Sequence, residues 1–210
     1  LADESASSDA ANRFALVADA TIQADASVVL WYDTTSSRWR VLTTAPGGTT
    51  IAEGSFPAAA TLDITDIPQT FSRLELLWEG LSFSNANGLL IQVDNSNGAS
   101  FDATAGNYAT QGVSEGAAFT GAVASLTEQG SVGLTSGNTF SGKSVIYNYA
   151  SSDKMYWITM CRHTQSGGAN QRTFQGGTYI GSMPLNAIRF TRGAGSGNFD
   201  AGTYKLVGYK

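Results

Sequence analysis

The run Gly137-Asn138-Thr139-Phe140-Ser141-Gly142-Lys143-Ser144 matches the phosphate-cradling pattern G-x-x-x-x-G-K-[ST] at every position. That chemistry needs a strand before the loop and a helix after it, whose N-terminal amides hold the phosphate. Here Val145-Ile146-Tyr147-Asn148-Tyr149 follow, β-branched and aromatic, so a strand is expected instead. The motif then reads as a glycine-rich turn with its lysine in solvent. Gly112-Val113-Ser114-Glu115-Gly116 likewise matches the nucleophile elbow G-x-S-x-G, and Asp153 and His163 follow in the chain order of an α/β-hydrolase triad. That fold alternates strands and helices, and no helical pattern flanks this elbow. His163 is expected on a strand, at the surface or half-buried.

Carboxylate pairs are the other route to chemistry. Glu75 and Glu79 share strand parity, and Asp63 and Asp66 stand just before Pro68. A glycosidase needs two carboxyls about 5 to 9 Å apart in a cleft, one with a raised pKa; solvated strand faces give the same spacing. Asp94-Asn95-Ser96-Asn97-Gly98 offers oxygen ligands and a glycine but lacks the closing acid of a calcium loop, and reads as an Asx turn. With one cysteine, Cys161, and one histidine, His163, the chain has neither an internal disulfide nor a Cys or His metal cluster. No catalytic residue, metal or cofactor is expected.

The elements that must position these residues are strands. Among 210 residues only 14% are charged, against about 25% in an average domain, while Gly numbers 24 and Pro only 4. Twelve basic against 17 acidic residues, a net charge of −5, argue against a nucleic-acid partner. No apolar run approaches the about 18 residues of a membrane helix, so no membrane insertion is expected. The chain opens on Leu1 rather than Met, as a processed product or a piece of a longer protein would. Short β-branched and aromatic runs fall at residues 28–32, 39–43, 73–78, 88–94, 144–149, 155–161, 172–180, 187–191 and 203–209, separated by Asn-Gly and Gly-rich turns. Only residues 6–20 and 117–126 have any helical character, and the second is equally a strand. The expected fold is all-β, an antiparallel, jelly-roll-like β-sandwich preceded by a small β-hairpin module. The Pro- and Gly-bearing stretch 43–50 sets the boundary, giving a module at residues 1–50 and a sandwich at 51–210. Trp39, Trp78 and Trp157, inside strands, are expected in the core.

Binding is expected from Gly/Asn/Ser/Thr-rich loops carrying aromatics such as Phe83, Phe101, Tyr108, Phe174 and Tyr179, which hydrogen-bond to sugars and stack on them. Three loops are singled out, with Asn95, Asn97 and Phe101 on the first, Gln165, Asn170 and Arg172 on the second, and Asn198 and Phe199 on the third.

Two segments carry a family resemblance. Ala2-Asp3-Glu4-Ser5-Ala6-Ser7-Ser8-Asp9 through Asn12-Arg13-Phe14-Ala15-Leu16, with Leu30-Trp31-Tyr32-Asp33 and Ser37-Arg38-Trp39-Arg40-Val41-Leu42, resembles a connector of tailed-bacteriophage fibre and spike proteins that closes in a "YD…RWRVL" hairpin. Asn186-Ala187-Ile188-Arg189-Phe190 and Gly197-Asn198-Phe199-Asp200-Ala201-Gly202-Thr203-Tyr204-Lys205-Leu206-Val207-Gly208-Tyr209 is similar to the last strands of phage appendage domains. The segments cover less than half of the chain, at its two ends. The resemblance implies a virion structural protein (a tail or head fibre or spike) with other virion proteins as partners. It also implies a homotrimer with the N-terminal module along the threefold axis, Phe14, Leu16, Val17 and Ile22 packing between chains. The distal sandwich would attach to the host surface, with a surface glycan as ligand. Two alternatives stand beside it: a capsid decoration protein with no receptor of its own, and a glycan-depolymerising tailspike enzyme.

Overall fold

In a computed structural model the described residues are 14–15, 27–35, 38–45, 47–85, 88–104, 106–114, 117–123, 126, 139–164, 170–193 and 196–210. They form fourteen strands: β1 (Phe14–Ala15), β2 (Ser27–Asp33), β3 (Arg38–Ala45), β4 (Thr49–Ser55), β5 (Thr61–Ile64), β6 (Arg73–Phe83), β7 (Leu89–Asp94), β8 (Tyr108–Ser114), β9 (Ala117–Val123), β10 (Thr139–Tyr147), β11 (Met155–Thr164), β12 (Asn170–Tyr179), β13 (Ala187–Arg192) and β14 (Phe199–Tyr209). Two compact units result, Leu1–Thr49 with Tyr209–Lys210, and Thr50–Gly208.

The first unit holds the hairpin β2–β3, with β1 parallel to β3. Trp39 is exposed there, packing edge-on against Tyr32 at 5.2 Å rather than entering a core. The Phe14, Leu16, Val17 and Ile22 side chains lie outside the described residues. The stretch 43–50 is less of a linker than its composition suggests, because Thr43 to Ala45 complete β3 and Thr49 and Thr50 begin β4.

The second unit is an antiparallel β-sandwich of unequal sheets. Eight strands run in the order β4-β14-β6-β10-β11-β12-β8-β9 and three in the order β5-β13-β7. Residues 117–123, ambiguous by composition, pair with β8 as a strand. The core lies between the sheets. Leu74, Leu76, Trp78 and Leu81 of β6, Ile146 of β10 and Trp157 of β11 meet Ile91 and Val93 of β7 and Ile188 and Phe190 of β13. Alternation makes this possible, since every second residue of a strand faces one side. Met155, Trp157, Thr159, Cys161 and His163 are buried, while Tyr156, Ile158, Met160 and Arg162 are exposed. Trp78 and Trp157 are core as expected.

The sandwich has two ends, which decide where the loops go. At the first, named for Asp94, β7 stops opposite the start of β13 (Asp94 beside Ala187) and β12 stops beside the start of β8 (Tyr179 beside Tyr108). At the second, named for Asn198, β13 turns into β14. There Ser84 N donates to Asn198 O, and Thr139 pairs with both Ser82 and Thr164. The six residues of β13 separate the ends by about 20 Å.

Candidate functional site

The two enzyme-like motifs dissolve in this fold. Lys143 lies in the middle of β10, between β6 and β11, and its ammonium pairs with Glu75 at 2.7 Å. The motif's second half is therefore a strand rather than a turn, its lysine held by a carboxylate; Gly137 and Asn138 lie outside the described residues. Ser114 ends β8 and His163 lies buried near the end of β11, its ring 5.7 Å from Phe140. Asp153 sits in the turn before β11, so ten residues of nearly extended chain, about 30 Å, separate it from His163. No triad forms. Burial pushes the Cys161 thiol up to about 12, against the pull of the Trp78 indole, so this cysteine is inert at neutral pH.

The three expected binding loops do not come together. Asn95, Asn97 and Phe101 belong to the Asp94 end, whereas Arg172, Asn170, Asn198 and Phe199 belong to the Asn198 end. The reason is topological. Loops 95–107 and 180–186 leave the same ends of their strands, and the loops after β11 and β13 leave the opposite ends. Phe199 is not a ligand residue at all; it is core, 5.0 Å from the Phe83 ring and 4.9 Å from Phe56. Asn198 is a loop tie, its amide donating to Ala58 O at 3.2 Å and its backbone N to Ser84 Oγ at 3.0 Å. Arg172 is exposed on β12 opposite Arg162, Asn170 opens β12 opposite Thr164, and Gln165 lies outside the described residues.

The Asp94 end, by contrast, holds a concavity of about 710 Å³ between loop 95–107 and loop 180–186. Two short Asx turns build it. Asp94 accepts from Ser96 N at 3.0 Å, Ser96 Oγ at 2.7 Å and Gly98 N at 2.7 Å, as expected of an Asx turn at Asp94. Asp102 repeats the pattern eight residues on, accepting from Thr104 N at 2.8 Å. Its other oxygen accepts from Asn107 Nδ2 at 2.7 Å and from the Tyr179 hydroxyl at 2.8 Å. Tyr179 stacks on the buried Tyr108 at 4.8 Å, and the Tyr108 hydroxyl donates to Asp102 O. A Cβ on Gly181 would strike the Tyr179 hydroxyl and Asp102 Oδ2, so only glycine lets this loop pass.

Around this frame Asn95, Ser100, Phe101, Thr104 and Ser182 supply the lining. One face of Phe101 carries the Arg189 guanidinium at 4.0 Å, itself gripped by both oxygens of Asp63 at 2.6 and 2.7 Å. Asn97 faces away from ligand duty. It adopts φ 57°, bonds to Asp66 through both ends of its amide, and donates from its backbone N to Asn186 Oδ1. Of the eight expected residues, then, Asn95 and Phe101 line this concavity and Asn97 supports it, while Arg172 lines a separate concavity on the large sheet beside Met160 and Phe174. Composition alone missed Asp102, Asn107 and Ser182. The repeated Asp-x-Ser/Thr spacing at Asp94-x-Ser96 and Asp102-x-Thr104 is the signal that marks Asp102; Asn107 and Ser182 carry no such local signal.

The electrostatics point away from acid–base chemistry. Burial pushes both the Asp94 and Asp102 carboxyls up, but the converging donors outweigh it: Ser96, Ser100 and Gly98 for Asp94, and Asn107, Thr104 and Tyr179 for Asp102. Both end below the ordinary carboxylate value and hold no proton to donate at neutral pH. Burial first, then its bond to Asp102, pushes the Tyr179 phenol far upward, so it stays a donor. Glu53 and Glu79 border a second concavity on the large sheet, but both are exposed on an open face, and Glu53 pairs with Lys205 at 3.1 Å. Among the described residues no three His, Cys, Asp or Glu side chains group to hold a metal ion.

A pH dependence follows from the lowered folded values. The stability these two carboxylates add is fully present above about 3.9, the value of an unfolded aspartate, and is lost as pH falls through their lower folded values. Thermal melts from pH 5 to pH 2 are expected to show this loss. Asp102→Ala, which strands Tyr179 and Asn107, is expected to cost about 2 kcal/mol at pH 7 and to flatten the acid limb.

No family model, curated protein or solved structure matches this chain.

Proposed function

We propose that this chain is a structural component of a virion appendage of the tailed-phage fibre or spike type, and that its sandwich binds a host-surface glycan at the Asp94 end. One observation carries the binding half of this reading. The concavity presents amides, hydroxyls and the Phe101 ring while both of its carboxylates are consumed in holding the loops. Such a surface recognises a neutral polyhydroxylated ligand and does not cleave it. The appendage half rests on the resemblance of the two terminal segments, whose described residues fall in β1, the β2–β3 hairpin, strands β13 and β14 and the turn between these two. A preformed rigid site suits the role, since loops tied by side-chain bonds lose little entropy on binding.

The test is binding of the purified chain to a panel of bacterial outer-surface polysaccharides and to intact cells. Phe101→Ala is expected to raise Kd about tenfold, the loss of one stacking contact. Ser182→Arg, which fills the concavity from an exposed position, is expected to abolish binding with little change in Tm. Binding to none of these surfaces would overturn the receptor role and favour a decoration protein. Release of reducing ends from a bound polysaccharide would favour the depolymerase.

A further inference from the structure

The Asp94-end concavity continues onto the outer face of the eight-stranded sheet. Ile180 lines it and is 51% exposed, so this residue forms a lip rather than a wall. Its backbone N donates to Asn107 O, which keeps the chain beside β8 at this point. Thr178 precedes it by two residues, about 7 Å, and by strand alternation faces the same side. Thr178 stands in register between Ala109 of β8 and Tyr156 of β11, and Tyr156 stands opposite Tyr147 of β10. Each step across the strands is about 5 Å. Ala109 and Thr178 are small and leave a low floor next to the lip. Beyond them Tyr156 and Tyr147 are 53% and 41% exposed. Exposed apolar residues scattered singly need no explanation, but these two rings follow a built site in one line, and none of the four side chains carries a charge.

We infer that the Asp94 end takes an internal stretch of a linear polysaccharide, whose rings beyond the concavity cross Ala109 and Thr178 and stack on Tyr156 and Tyr147. The inference rests on the glycan reading above and adds the class of glycan, a polymer held along its length rather than by a terminal sugar. The chemistry along this path is that of the concavity. A sugar ring has apolar C–H faces and hydroxyl edges, and a phenol offers an apolar body to the first and a polar tip to the second. An uncharged path suits a neutral chain. The core does not use the two tyrosines, since their strand neighbours Ile146 and Trp157 are the residues that face it. A ligand ending inside the concavity would leave both rings bare.

The test uses the intact chain and the outer-surface polysaccharide that it binds most tightly, cut by partial acid hydrolysis into sized fragments from the disaccharide upward. Calorimetric titration is expected to show Kd falling at least about tenfold as fragments outgrow the concavity, the gain of two stacking contacts. Tyr156→Ala and Tyr147→Ala are each expected to raise Kd about fivefold for the longest fragments and to leave the shortest unchanged. Phe101→Ala is expected to weaken binding at every length. Tyr156→Phe, which keeps the ring, is expected to bind as the native chain does, and this rescue separates stacking from a general loss of fold. A Kd constant with length, or long-fragment binding unchanged in Tyr156→Ala/Tyr147→Ala, would overturn the inference, while dependence on Phe101 would still leave the concavity as the site. Binding of no polysaccharide at any length would overturn both.

Discussion

Gly177→Ala is expected to unfold about 3 kcal/mol more easily than the native chain, although it adds one methyl group. Gly177 pairs with Trp157 on one side and Thr110 on the other, at the centre of the β11-β12-β8 ribbon. An added Cβ would fall on the Ala109 carbonyl oxygen and lie 2.9 Å from the Trp157 ring. Backbone cannot yield without breaking the ladder. Gly176 next to it is the control: its Cβ would meet Trp157 O at 3.1 Å and Ile158 Cγ1 at 3.7 Å, with no ring beneath. Gly176→Ala is expected to stay within about 1 kcal/mol of the native chain, because alanine's propensity gain offsets the tight contact. Urea denaturation of the pair checks both, and equal losses would show that the ribbon does not rest on the Gly177 approach.

Trp157→Ala is expected to cost about 3–5 kcal/mol and to lower Tm by about 10 °C or more. The indole is 1% exposed, 6.2 Å from Tyr108 in an edge-on contact, and reaches under Gly177. Its loss opens a hole beneath Tyr108, and Tyr108 holds loop 95–107 through Val93 and Asp102. The proposed binding site should therefore weaken together with the fold. Trp157→Phe separates the causes. The indole Nε1 is buried without a hydrogen-bond partner among the described residues, so phenylalanine removes an unsatisfied donor along with some volume. It is expected to cost about 1 kcal/mol, read by differential scanning calorimetry.

The sandwich was legible where strands carry large apolar residues. Residues 155–161, 187–191 and 73–78 announce β11, β13 and β6. Strands β4, β5 and β8 escaped, because Thr-Thr-Ile-Ala-Glu-Gly-Ser, Thr-Leu-Asp-Ile and Tyr-Ala-Thr-Gln-Gly-Val-Ser look like loop by composition and become strands through their neighbours. Phe199 was misplaced for a local reason. The apolar run reads from Thr203, whereas β14 begins at Phe199, across Gly202 at φ 111°. Asn95 and Phe101 were legible as loop residues, but their separation from Arg172 and Asn198 was not. Which loops share an end depends on the strand order β4-β14-β6-β10-β11-β12-β8-β9, a long-range property that no window of sequence contains.

Both loops that bound the Asp94-end concavity cross from one sheet to the other. Loop 95–107 carries the chain from β7 to β8, and loop 180–186 carries it from β12 to β13. The hydrogen bond from Ile180 N to Asn107 O and the grip of Tyr179 on Asp102 fasten these crossings to each other. A pull that slides one sheet over the other must stretch this pair of straps, and a ligand seated between them acts as a clasp against that sliding. Reciprocity would then make the coupling run both ways: a sandwich occupied at the proposed site would resist shear, and a sheared one would loosen its hold on the ligand.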